Sequence, residues 1–114
     1  MTASRRAYGA FGEELAARWY VAHGYAVLAR NWRCAEGELD LVLERGGTVV
    51  FCEVKARSTA AFGTGFEAVT AAKQARIRRL ALRYLAEAKL GRRPLRFDVA
   101  AVTGARVEVL EAAF

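Results

Sequence analysis

A single α/β domain with the element order αβββαββ is what this sequence predicts, on three observations. Two segments carry apolar residues at spacings of three and four, and five shorter ones alternate or run apolar, which are the helix and strand periods. Gly46-Gly47 separates two strand segments as a hairpin turn. A helical segment separates two others, which calls for a parallel, right-handed crossover and so for a mixed central sheet flanked by helices. The 114 residues make one domain, 1–114, with one core.

Each element follows from its residues. A first helix is expected over 5–23, with Phe11, Leu15, Trp19 and Ala22 as its apolar stripe and Gly24 as its stop. Residues 25–30 read as a strand and 31–37 as a loop holding the thiol of Cys34. Residues 38–44 alternate, with Leu39, Leu41 and Leu43 on one side. The β-branched and aromatic run 48–55 is the next strand, with Cys52 as a small core residue, and 56–65 is a loop. Thr70 caps a second helix that runs to about Lys89. Its apolar stripe is Val69, Ala72, Ile77, Leu80, Ala81, Tyr84 and Leu85, beside a basic stripe of Arg76, Arg79 and Arg83. Strands over 95–102 and 106–110 complete the chain.

Composition excludes several classes. With 54% hydrophobic and 26% charged residues the chain folds as a globule, and it has no apolar run long enough to span a membrane. Arg5 and Arg6 are followed by Glu13 and Glu14, which does not suit a signal peptide, so a cytoplasmic location is expected. Two cysteines and one histidine, His23 near a helix end, do not make a structural zinc site or a recognisable nucleophile pair. The glycines at 63 and 65 lack the lysine and hydroxyl of a phosphate-binding loop. The net charge of +6 is local: between Lys73 and Arg96 nine basic residues face Glu87 alone. Such a concentration suits a surface that meets a polyanion, and equally a solvated helix face.

The hairpin carries the chemistry. With Gly46-Gly47 as the turn, Arg45 faces Thr48, Val42 faces Phe51, Asp40 faces Glu53 and Glu38 faces Lys55, all on one side of the sheet. Leu39, Leu41, Leu43, Val50, Cys52 and Val54 make the other side apolar, which supports this register. Facing carboxylates about 5 Å apart repel by about 3 kcal/mol at an effective dielectric near 20. Either one stays protonated or a cation sits between them, and a hard divalent cation suits two oxygen ligands. Lys55, on the same side as Glu53, could orient water or meet a phosphate; an ordinary salt bridge at a wet sheet end is the alternative. Together with the basic region, the set points to a metal-dependent phosphodiester site.

The segments G-E-L-D at 37–40 and E-V-K at 53–55 resemble the signature of the PD-(D/E)xK nuclease superfamily. More closely, G-E-E-L-A-A at 12–17, G-Y-A-V-L-A-R-N-W-R at 24–33, G-E-L-D-L-V at 37–42 and F-C-E-V-K-A-R at 51–57 resemble the YraN-like family of uncharacterised bacterial proteins, related to Holliday-junction resolvases. F-G at 62–63, K-Q-A-R-I at 73–77 and R-F-D-V at 96–99 extend the likeness over nearly the whole chain.

The resemblance implies a restriction-endonuclease-like, resolvase-like core. It implies that Asp40, Glu53 and the Val54 carbonyl ligate Mg²⁺ or Mn²⁺, with Lys55 assisting and Glu13 completing the site. Glu38 is expected to pair with Lys55 or support the site, and Asp98 to pair with a nearby arginine. Arg57, Lys73, Arg76, Arg79 and Arg83 are the candidate nucleic-acid contacts. The expected function is cleavage of branched or structured DNA, with DNA favoured over RNA. A homodimer is expected of an enzyme that cuts two strands, and Trp32, Phe66 and Phe114 are apolar enough for its interface or for the core. A binding module without turnover and an interaction domain of a DNA-processing complex remain open.

Overall fold

The computed structural model describes residues 3–57 and 69–114, with side chains described from Gly9 onward. The chain runs through α1 (Ala3–Ala22), β1 (Ala26–Cys34), β2 (Gly37–Arg45), β3 (Thr48–Arg57), α2 (Ala71–Glu87), β4 (Leu95–Thr103) and β5 (Arg106–Leu110). The strands form one sheet in the order β1-β2-β3-β4-β5. Strands β3 and β4 pair in parallel across α2, and the other neighbours are antiparallel. This is a mixed α/β protein with a five-strand mixed sheet and two helices, as expected from the period of its apolar residues.

The turn glycines set the register of the central hairpin. Gly46 and Gly47 have φ of 59° and 85°, both in the left-handed region that a two-residue hairpin turn requires. Pairing then runs from Arg45–Thr48 through Val42–Phe51 to Leu41–Cys52, the register the sequence predicts. Alternation sends Leu41, Leu43, Val50 and Cys52 to the cluster under α1, and Val42, Val49 and Phe51 to the cluster under α2. The two helices therefore cover opposite faces of the sheet.

Three expectations fail on this frame. Residues 31–34 continue β1 rather than forming a loop, so Cys34 is a half-buried strand residue. Leu39 packs under α2 and not beside Leu41 and Leu43, so the predicted apolar side keeps Leu41, Leu43, Val50, Cys52 and Val54 but not Leu39. The change of side coincides with Asn31 of β1, whose φ of 49° breaks the extended backbone between the pairs Arg30–Leu41 and Trp32–Leu39. The buried face of α1 is also rotated from the bulky stripe. Gly12, Ala16, Ala17 and Tyr20 are buried, Leu15 and Trp19 flank them, and Phe11 and Ala22 are exposed. Small residues win because they let the helix approach the sheet: a Cβ on Gly12 would lie 2.6 Å from the Cβ of Ala56.

Helix α2 follows its expected stripe through Ile77, Leu80, Ala81, Tyr84 and Leu85, while Ala72 is exposed and Val69 precedes the helix. Thr70 caps it by accepting the Lys73 N–H at Oγ1 (3.2 Å). Trp32 and Phe114 pack on the α2 cluster, against Tyr84 and Phe97 respectively. Phe66, the 62–65 glycine segment and most of the predicted 56–65 loop lie outside the described residues. Among those described, no helix is long and apolar enough to cross a membrane.

One fully buried charge locks the layers together. Asp98 takes two hydrogen bonds from Arg96, at 2.9 Å each, one from the Tyr20 hydroxyl at 2.7 Å and one from the Ala112 N–H at 3.0 Å. Its arginine partner is as expected; its links to α1 and the C-terminal segment make it a structural hub. Burial pushes the Tyr20 hydroxyl far up its range, so it stays a donor.

Two glycine substitutions in one helix separate propensity from packing. Gly12→Ala is expected to destabilise the protein by about 1–3 kcal/mol, because an alanine Cβ on β3 cannot move aside without the backbone. Gly9→Ala, whose Cβ meets nothing within 4 Å, is expected to stabilise by about 0.5–1 kcal/mol. Urea unfolding of both variants checks the pair; equal effects would remove the close-approach argument.

Candidate functional site

Beyond Leu41–Cys52 a side chain takes over from the regular ladder between β2 and β3. Asp40 Oδ2 accepts the Val54 N–H at 2.8 Å, so the carboxylate spans the gap between the strands. Asp40 and Glu53 line one cavity of about 300 Å³ with Gly37, Glu38, Lys73, Arg76 and Ile77. Strand β3 thus supplies Glu53, β2 supplies Asp40, and the first turns of α2 supply Lys73 and Arg76, while Lys55 of β3 adjoins the cavity through Glu53.

The electrostatics follow from this crowding. Burial, and next the charge of Glu53, push the Asp40 carboxyl up to about 7; the Val54 N–H opposes them, and Glu13 and Glu38 add to the rise. Glu53 is nearly enclosed, with 14% of its side chain exposed, and its Oε1 receives Lys73 Nζ at 2.8 Å and Lys55 Nζ at 3.7 Å. Burial lowers the Lys55 pKa, and the neighbouring Lys73 lowers it further. Burial is the largest single influence on Lys73 and acts in the same direction, but its hydrogen bond to Glu53, the neighbouring Lys55 and the charges of Glu53 and Asp40 together outweigh it, and its pKa is raised. Two acids and two lysines thus share one small space.

Glu13 reaches this site from α1 through its charge. Burial raises its pKa, the Asn31 side chain opposes the rise, and the charges of Glu38 and Glu53 add to it. Its Oε2 is buried and has no hydrogen-bond partner. Among the described residues no three His, Cys, Asp or Glu side chains gather as a ready metal cage. What the cavity offers is the Asp40–Glu53 pair, two carboxylates with hard oxygen atoms. That pair suits a divalent cation, and the ammonium of Lys73 already sits where a cation belongs.

The other predicted residues are more scattered. Glu38 pairs with Arg33 at 3.1 Å, not with Lys55. Val54 meets Asp40 through its N–H. Arg57 ends β3, where its carbonyl accepts the Gly104 N–H. Arg76 lines the cavity, Arg79 is exposed farther along α2, and Arg83 is held by Glu36 at 2.9 Å. Asn31 was not among the predicted site residues. Its signal was the tolerance of asparagine for positive φ, in a segment whose other residues read as a loop. A larger groove, about 950 Å³, lies at the far end of α2 between Leu82, Leu85, Lys89, Arg92, Arg93 and Leu95; among the described residues no carboxylate lines it, so it lacks the chemistry of the smaller cavity.

Fold and site together define a small mixed α/β protein whose sheet opens, between two central strands, onto a carboxylate–lysine cavity. The profile of the uncharacterised protein family UPF0102 matches residues 12–102. The chain is 53% identical to a UPF0102 protein of Frankia alni over 116 residues, which cover 97% of each chain. It is 54% identical to one of Beutenbergia cavernae over 103 residues (90% of this chain and 87% of the relative). It is 45% identical to one of Moorella thermoacetica over 120 residues and the full length of both. The chain belongs to the UPF0102 family, the YraN-like family its motifs resemble.

The Asp40 carboxyl makes a signed prediction. Its pKa is about 7 against an ordinary 3.8, so the folded state holds the proton more tightly than the unfolded one. The contribution is fully present below about pH 4, is lost as pH rises through 7, and is flat above. The gap corresponds to on the order of 4 kcal/mol. Asp40→Asn is therefore expected to be more stable than the unsubstituted protein at pH 8 in EDTA, and to differ little at pH 4. Urea unfolding across that range checks it; parallel pH profiles would contradict a raised Asp40.

Proposed function

We propose that the cavity binds Mg²⁺ or Mn²⁺ between Asp40 and Glu53 and that the protein hydrolyses phosphodiester bonds of branched or structured DNA. The supporting core is then of the restriction-endonuclease-like, resolvase-like type. The observation that carries this reading is the enclosure of Asp40 and Glu53 in one cavity, with Glu53's charge helping to raise Asp40 to about 7. Buried like charges of this kind cost stability, and a function that needs a cation accounts for their presence here. The chemistry such a cation supplies when bound is polarisation of a phosphate oxygen and acidification of water.

The chain's own residues do the rest. Asp40 and Glu53 hold the cation, and the Val54 N–H fixes the Asp40 carboxylate. The Val54 carbonyl is the further ligand the family motif suggests. Lys55 carries its charge 3.7 Å from Glu53, close enough to orient water or meet a phosphate oxygen. Glu13 brings a third acid with an unpaired oxygen. Arg76 extends the positive wall of the cavity, and Arg79 continues it along α2 as a track for the nucleic-acid backbone. Paired cuts in two strands call for two copies of the chain, and a cytoplasmic site of action accompanies the reading.

One observation favours a second reading, a nucleic-acid-binding module without turnover. Lys73 already neutralises Glu53 at 2.8 Å, so the site is partly compensated without metal.

Cleavage assays on linear, flapped and four-way-junction DNA separate the two. With Mn²⁺ the enzyme reading expects cutting that EDTA abolishes and that Asp40→Asn and Glu53→Gln each reduce at least about a hundredfold. Cutting that survives both substitutions would sink it. The binding reading expects no cutting and metal-independent affinity, with a log–log salt slope near about −4.5 if five basic side chains touch phosphates.

A further inference from the structure

We propose that Lys73 is a resident counter-cation, whose ammonium occupies the cation position on Glu53 until a divalent metal entering the cavity displaces it. The proposal rests on the metal reading above and adds a residue that acts against the metal before it binds.

Three observations carry it. Lys73 Nζ lies 2.8 Å from Glu53 Oε1, whereas Lys55 Nζ lies 3.7 Å from the same oxygen, so the direct ion pair is with Lys73. Lys73, Asp40 and Glu53 line the same cavity, so the ammonium on Glu53 stands in the space a cation shared by the two acids would enter. Finally, Lys73 sits in the first turn of α2, a turn that holds no acidic residue. A cation there opposes the positive end of the helix dipole, so helix stability does not account for the lysine. Its backbone N–H is fixed on Thr70 Oγ1, while its flexible four-carbon stem can swing the head group aside. An ammonium and a divalent ion that both lie at contact distance from Glu53 Oε1 repel each other, which favours displacement of the ammonium.

Calorimetric titration of the full chain with MnCl₂ at pH 8 tests this. Removing one positive charge beside a half-solvated metal position is expected to raise Mn²⁺ affinity about tenfold in Lys73→Gln. Lys73→Arg, which keeps the charge, is expected to stay within about twofold of the unsubstituted protein, and Lys55→Gln to gain clearly less than Lys73→Gln. Equal or weaker Mn²⁺ affinity in Lys73→Gln overturns the counter-cation role and leaves the metal site standing. A larger gain in Lys55→Gln also overturns it, because the displaced cation is then Lys55. Absence of Mn²⁺ binding in every protein overturns both this proposal and the metal reading. A measurement on the unsubstituted chain is independent of whether the variants fold. In lysine labelled with ¹³C at Cε, saturating Mg²⁺ is expected to shift the Lys73 signal more than that of Lys55. A Lys73 signal unmoved by bound Mg²⁺ overturns the proposal.

Discussion

The hydrogen bond from the Val54 N–H to Asp40 Oδ2 is the contact on which the site depends. Ladder pairing between β2 and β3 is regular up to Leu41–Cys52, and from there the aspartate side chain accepts what a strand carbonyl otherwise would. The bond satisfies a strand amide that needs a partner. It also fixes a carboxylate beside Glu53, where burial alone would favour an apolar residue. One backbone donor does not offset burial and a neighbouring negative charge, and the Asp40 pKa rises despite it. The local geometry thus creates an electrostatic cost that the lysines relieve only in part.

Both helices bring charge to this point, and their approach depends on small or buried groups elsewhere. Gly12, Ala16 and Ala17 let α1 lie close on β3, which carries Glu13 toward the acids from one face. Thr70 fixes the start of α2, which delivers Lys73 and Arg76 from the other. The Asp98 hub holds α1 to β4 through Tyr20, so the face that bears Glu13 is tied to the strand beside β3. A buried aspartate with four hydrogen bonds is a rigid element.

Much of this was legible in the sequence where a residue type has one strong local preference. Gly46-Gly47 fixed the hairpin register, and with it the approach of Asp40 to Glu53. Thr70 and the Ile77–Leu80–Tyr84 spacing placed α2. What escaped depended on contacts between distant segments. Apolar spacing marks Phe11 and Ala22 as part of the inner face of α1, but close approach selects Gly12, Ala16 and Ala17 for smallness, which that stripe does not register. The sequence 31–34 mixes Asn, Trp, Arg and Cys and looks like a loop; its strand form comes from pairing with Leu39 and Glu38. Of the two roles expected of Glu38, pairing with Lys55 fails for the same reason, since Arg33 becomes its neighbour only once β1 extends that far, while its place beside Asp40 and Glu53 in the cavity is as expected. Asp98 read as one charge beside one arginine, whereas its burial comes from three elements closing on it.

The lysines explain why the repulsion does not simply protonate an acid. A pair of buried carboxylates has three remedies: hold a proton, borrow a cation from the chain, or bind one from solution. This site shows the first two at once. Asp40 shifts toward its protonated form, while Glu53 takes Lys73 in direct contact and Lys55 at longer range. The first remedy is lost as pH rises through about 7, and the second holds its charge on a movable stem. Neither is rigid in the way the Asp98 hub is, where planar arginine, hydroxyl and backbone amide leave no rotamer to spare. The same fold therefore solves one problem, a buried carboxylate, in two ways: permanently at Asp98, and reversibly at Asp40 and Glu53. Reversible compensation is what a site needs if the final counter-charge is to come from outside the chain.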